Sequence, residues 1–443
     1  MALIFPFRAW RYAPDRVPLR QAVTQPYDKI TPAMQEGYYA ASPYNLVRII
    51  LGRRFETDTA SENVYTRAAA SFREWRQAGV LRQDAQPSLY RYSQTFKVPG
   101  SQVVAERRGF IGLGRIEDYS AGIVFRHEQT LAKPKADRLD LLRATHAHFG
   151  QLFMLYSGSG KVDAALDSAG EAVPDIEVSD EYQVVHRVWR ISDPAIIGSV
   201  QAQMRDRQLI IADGHHRYET ALTYRDECNK DRKGGPTTDA GDAPHDRVMM
   251  TFIDMDVPGL VILPTHRVAF GLPPSRLADF PAAVRKFFNV EEVDAAIDAA
   301  RAVVILKNAG RAGTALLAVS ADRAFLLHTP KMIGTSLFGN HSLRQQALDV
   351  VQLHKCLLEG TLEISEEAIR NQQNVRYFRE AGEALADVRG GQPGTAKAQM
   401  AFLMNPVRIE QLRDVAFAGE VMPQKSTDFY PKLLSGLTAY ALE

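Results

Sequence analysis

Asp213, Gly214, His215, His216 and Arg217 stand in a row behind an apolar run, "LIIA", and ahead of "YETAL". Residues 208–212 have the composition of a short buried strand. Residues 217–230 read as a helix with Tyr218, Ala221, Leu222 and Arg225 along one side. The five residues therefore predict a strand-to-helix turn, where unpaired amides and the helix dipole favour an anion. Gly214 lets a ligand approach the backbone, and Arg217 supplies a planar fork for phosphate or carboxylate. His215 and His216 diverge by about 100° on a helix, so they cannot both face one atom. Asp213 is the odd member: beside an anion it must bind a metal, take a proton or hydrogen-bond a substrate hydroxyl. That combination suits phosphoryl transfer to an alcohol. The plainer alternative is an Asp helix cap followed by solvent-facing histidines.

Two further clusters carry suitable chemistry. In "GEVMPQKSTDFYPK", Gly419 can end a helix, and Lys425, Ser426 and Thr427 present an ammonium and two hydroxyls suited to phosphate, without the glycine loop of a P-loop. In "FRHEQTLAKPKADR", Arg126, His127, Glu128 and Thr130 crowd a strand end, followed by Lys133, Lys135 and Arg138. Glu128 could act as a base or hold Mg2+ through water, with His127 beside it. Each cluster also reads as a polar surface segment. Asp28, Arg126 and His266 are the substrate-binding candidates. No HExxH or CxxC spacing links the histidines, so no zinc site is expected.

The elements that must position these residues read as mixed α/β. "LYRYSQTFKV", "RRGFIGLGRI", "QLFMLYSG" and "RVMMTFIDM" predict strands, with a short one at "IVFRHEQT" and a helix from Asp137. Further on, "RAVVILKNA" and "ALLAVSADRAFLLHT" predict strands. "LRQQALDVVQLHKCLLEG" predicts one helix with Leu343, Ala347, Val350, Val351, His354, Leu357 and Leu358 on a stripe. Residues 229–246, rich in Gly, Pro and Asp, read as an exposed loop.

Composition narrows the function classes. The 443 residues suffice for two or three domains. Basic and acidic residues balance at 53 and 52, which argues against a nucleic-acid partner. No apolar run approaches the roughly 20 residues needed to span a bilayer, and no convincing signal peptide opens the chain. Cys228 and Cys356 have no metal-ligand spacing, and the expected compartment is cytoplasmic.

"ADGHHRYETAL", "RHEQT", "ILPTHR", "FLMNP" and "VMPQKSTDFYPKLLSGL" together resemble the domain of unknown function 1015 family of bacterial and archaeal proteins, over nearly the whole chain. The "DGHHR" element also resembles the phosphate-binding motif of the ParB/sulfiredoxin superfamily, which includes nucleotide-dependent kinases of free L-serine. This resemblance implies that Gly214, His215, His216 and Arg217 bind nucleotide phosphates and that Asp213 lies near the substrate hydroxyl. It implies an α/β fold with a ParB/sulfiredoxin-like nucleotide-binding core over residues 1–270, carrying RHEQT and DGHHR. Residues 271–443 would form a second α/β region, and on the chemistry of Lys425, Ser426 and Thr427 alone its MPQKST segment is expected to complete the site. The implied reaction moves phosphate from ATP, ADP or pyrophosphate, with Mg2+, to L-serine or a similar small hydroxylated metabolite. The alternative is a nucleotide-binding regulatory or partner-binding protein without turnover. Sulfiredoxins need a cysteine where His215 stands, which excludes their redox chemistry. The catalytic glutamate of the archaeal serine kinases has no motif counterpart here, and His127 and Glu128 are catalytic candidates on their chemistry alone.

Overall fold

The computed structural model describes residues 1–128, 132–170, 173–231, 243–331, 337–391 and 394–443. Gln129 and Thr130 of RHEQT, the Lys133 side chain and most of the loop expected over 229–246 lie outside these. The chain divides into two compact units, both mixed α/β: one of Met1–Arg126, Thr130–Val261 and Pro431–Glu443, the other of His127–Gln129 and Ile262–Tyr430.

In the first unit, a nine-stranded mixed sheet runs Val124–Phe125, Leu209–Asp213, Leu152–Tyr156, Arg247–Asp254, Val104–Arg115, Leu89–Lys97, Val185–Ile191 and Ile176–Ser179, with Ile4–Phe5 paired to Val104–Arg115. The "LFMLY" strand is buried at every position, as an apolar run without alternation requires when both faces are covered. It pairs parallel with Arg247–Asp254 and antiparallel with Leu209–Asp213. Helices Lys161–Asp167, Pro194–Met204 and His215–Asp231 bury Val162, Leu166, Ile197, Val200, Met204, Tyr218 and Ala221 against the sheet. Each large side chain so buried contributes about 1.5–3 kcal/mol. The C-terminal tail returns to this unit through bridges Thr24 to Ser435 and Trp10 to Ala439, and through Tyr440 opposite His148.

The second unit holds a six-stranded antiparallel sheet in the order Asn289–Val293, Ala324–His328, Ala315–Val319, Ala398–Met404, His266–Phe270 and Val375–Phe378. Helices Ala299–Ala309 and Ala381–Gly390 bury Ala302, Leu306, Ala384 and Leu385 on one face, with Leu317, Val319 and Leu403. His266–Phe270 is interior to this sheet and lies in the second unit, which takes up the chain at Ile262.

Two elements differ from their expected form. "RAVVILKNA" is helical, within Ala299–Ala309, with Val303 and Val304 exposed at 51% and 56%. The β-branched run suggests a strand, but Asp298 caps a helix by accepting from the Arg301 amide, and only Ala302 and Leu306 need burial. The helix expected over 343–360 breaks into Leu343–Gln346, Asp349–Gln352 and a π-helix Leu353–Glu359, leaving Leu343 84% exposed. Its apolar stripe therefore starts at Val350.

Candidate functional site

The strand Leu209–Asp213 does not run regularly to its end. Ile211 lies opposite Met154 and Asp213 opposite Phe153, so Ala212 is an extra residue, a bulge that re-aims the following side chain. Gly214 then takes φ +98°, a conformation that L side chains rarely adopt, and a Cβ there would lie 2.8 Å from Leu152 Cδ2. The helix His215–Asp231 starts immediately, and Tyr218 donates its first bond to the Gly214 carbonyl. The turn puts Asp213 beside the positive end of that helix.

Two cations flank the carboxylate. Lys432 Nζ is 3.4 Å from Asp213 Oδ2, and Arg217 Nη2 is 3.9 Å from Oδ1. Burial, the largest influence on the Asp213 pKa, pushes it up. Lys432, Arg217, Lys29 and His215 together outweigh burial and hold it well below the usual carboxylate range. Asp213 is therefore ionised throughout the physiological range. Arg217 is further fixed by donating to the Gln151 carbonyl. Arg107, fully buried, donates to Gln94 Oε1 at 3.0 Å and to the Pro431 carbonyl, while Gln94 Nε2 donates to the Lys432 carbonyl at 2.9 Å. Arg107 and Gln94 thus anchor the tail segment that carries Lys432.

Arg217 also borders a cleft of about 610 Å³, with Tyr27, Arg138, His148, Thr220 and Ser435 among its walls. Arg138 stacks over the Tyr27 ring at 4.1 Å. The buried Thr220 hydroxyl has no hydrogen-bond partner among the described residues.

The remaining predicted residues fall as follows. Asp28 is exposed in the short turn Tyr27–Lys29 of the first unit. Arg126 lies 3.7 Å from Glu219, which also binds Lys135 at 2.6 Å. In the second unit, the RHEQT and MPQKST segments meet. His127 Nε2 is 2.8 Å from Thr427 Oγ1, and Glu128 Oε1 accepts from the Lys425 amide at 3.1 Å. Glu128 bridges Met422, whose amide donates to the His127 carbonyl. Lys425 takes φ +58°, and Ser426 donates to the Pro423 carbonyl. His266 is buried, its Nδ1 accepting from the Met404 amide, and burial with Arg267 nearby pushes its pKa down to about 4. Among the described residues, no three His, Cys, Asp or Glu side chains cluster to hold a metal ion. No helix among them is long and apolar enough to cross a membrane.

Lys432 is the residue that motif reading missed. It stands in "FYPK", one position past Pro431, and only the return of the tail brings it to Asp213.

A family model described as protein of unknown function, DUF1015, matches residues 4–351. No curated protein matches. Solved structures similar to the chain include a free serine kinase in complex with AMP, at 12% identity and TM-score 0.34, covering 69% of this chain and 83% of the other. A conserved hypothetical protein from Pyrococcus furiosus is 13% identical with TM-score 0.34, covering 70% and 88%. SbnI from Staphylococcus aureus, with a C-terminal truncation, is 12% identical with TM-score 0.34, covering 75% and 89%.

Proposed function

The chain belongs to the DUF1015 family, and we propose that it is a kinase that binds nucleotide phosphates at the Gly214 turn and phosphorylates a small hydroxylated metabolite, free L-serine foremost. The observation that carries this reading is the ionised Asp213 at a bulged strand end, flanked by Lys432 and Arg217 at a helix start. Lys432, Arg217, Lys29 and the positive end of the helix all act on Asp213, a setting that favours an anionic ligand. Phosphoryl transfer passes through a loose transition state, so the protein chiefly positions the alcohol and neutralises charge. Asp213 then needs only to accept the hydrogen bond of the substrate hydroxyl. Arg138 and Arg217 line the cleft beside the turn, two guanidinium groups suited to phosphate oxygens.

Mg2+ suits this arrangement as a phosphate-borne ion. Such ions usually take one or two carboxylates, with water and phosphate oxygens for the rest, and Asp213 is the carboxylate at hand. When bound, the ion would offset charge on the phosphates.

A second reading, nucleotide binding without turnover, is favoured by that same strong ionisation. A carboxylate held so far below its usual range is a weak base and can serve as a structural counter-ion. The two readings separate on incubating the protein with Mg2+, L-serine and ATP, ADP or pyrophosphate in turn, then analysing the products by mass spectrometry. O-phospho-L-serine supports the kinase. Nucleotide binding with no phosphorylated product supports the switch.

A further inference from the structure

The second unit contains its own cleft, built on a distorted helix. Over Leu353–Glu359 the helix widens into π turns, a distortion that is rare and concentrated at functional sites. The amides of Gly360 and Leu362 hold its end by donating to the Lys355 and Leu357 carbonyls, and Thr361 Oγ1 donates to the Cys356 carbonyl at 2.7 Å. Val351, His354, Lys355 and Glu359 line the cleft from this stretch, and Ile369, Tyr377 and Met422 add to its walls. His354 is 6% exposed, and its Nε2 has no hydrogen-bond partner among the described residues. A ligand that supplies the missing hydrogen bond removes the cost of leaving it unmade. Burial, with Arg267, Lys355 and His341 adding to it, holds the His354 pKa well below the usual imidazole range, so the ring is neutral. His341 stands in the same lining, and its Nδ1 donates to the Phe338 carbonyl at 2.6 Å. A carbonyl can only accept, so Nε2 is the His341 ring atom left for a ligand. The charges of the lining are already paired. Lys355 Nζ lies 2.9 Å from Glu359 and 3.5 Å from Glu366, and Arg370 lies 3.3 Å from Glu366.

We propose that this cleft binds a small uncharged molecule with an apolar body and an amide head. A charged ligand would have to break one of the ion pairs or sit beside a like charge, whereas a neutral one leaves them intact. An amide carries donor and acceptor together, so it serves the His354 and His341 ring nitrogens whichever tautomer His354 takes. Val351, Ile369, Met422 and the Tyr377 ring take the apolar body. The site is independent of phosphoryl transfer at Asp213, and its test uses neither nucleotide nor serine.

The test is calorimetric titration of the full chain with benzamide, and with benzoate and benzamidine, which match it in shape but carry a negative and a positive charge. The proposal expects benzamide to bind, both charged isosteres to bind about tenfold or more weaker, and His354→Leu to lose about tenfold in benzamide affinity. In the unsubstituted protein, the long-range proton–nitrogen signal of His354 Nε2 should shift on benzamide binding, a readout that does not depend on the variant folding. No binding of benzamide at millimolar concentration overturns the proposal. So does a charged isostere that binds as tightly, an unmoved His354 signal, or unchanged benzamide affinity in a folded His354→Leu variant.

Discussion

Lys432 Nζ lies 3.4 Å from Asp213 Oδ2, joining the C-terminal tail to the strand end that opens the Gly214 turn. Lys432 is one of the cations that keep Asp213 ionised against its burial. Lys432→Met should raise the Asp213 pKa, read by carboxyl carbon NMR during an acid titration. It should also weaken nucleotide binding by about tenfold, roughly 1.4 kcal/mol. An unmoved Asp213 titration would show that Arg217 and Lys29 suffice.

Gly214→Ala should destabilise the first unit by about 1–3 kcal/mol. The substitution adds the cost of a left-handed backbone to a contact 2.8 Å from Leu152 Cδ2, in a side chain that is itself fully buried. The new methyl also falls 3.0 Å from Arg217 Nη2, so nucleotide affinity should fall beyond the stability loss. Urea denaturation and nucleotide titration check the two effects separately.

Thr220→Val should leave stability within about 1 kcal/mol, because the hydroxyl is buried without a partner and the shapes match. If the cleft beside Arg217 holds the nucleotide, affinity should drop several-fold in the same variant. Unchanged affinity would place the ligand elsewhere along the turn.

Acid should weaken the fold through His266. Unfolded, an imidazole titrates near 6.5; folded, burial and Arg267 push His266 down to about 4. Between those values the unfolded chain binds the proton and the folded chain does not. This contribution is therefore complete above about pH 6.5 and is lost as the pH falls, at up to about 1.4 kcal/mol per pH unit. His266→Asn keeps an acceptor for the Met404 amide and removes the titration. Its stability should decline less than that of the unsubstituted chain between pH 6.5 and 4.5, measured by denaturant midpoints. Parallel declines would assign the acid sensitivity to other groups.

The turn at Gly214 was legible because each feature is local: an apolar run, a glycine, then helix formers. The meeting of RHEQT with MPQKST was not legible: the chemistry of MPQKST pointed to the DGHHR turn, while the Lys425 amide donates to Glu128 within one unit. Lys432 was not legible. Its partner becomes adjacent only through backbone pairing at Ser435, Ala439 and Tyr440. The strand expected at "RAVVILKNA" failed for a different reason. Three β-branched residues suggest a strand, whereas on a helix capped by Asp298 two of them simply face solvent.

The most direct test of the kinase is phosphorus NMR of the protein with Mg2+, ATP and L-serine, beside the Asp213→Asn variant. The account predicts a growing O-phosphoserine signal in the first sample and none in the second, with nucleotide still bound by the variant. An O-phosphoserine signal of equal rate in both samples would contradict the role given to Asp213, and no signal with any phosphate donor would contradict the kinase itself.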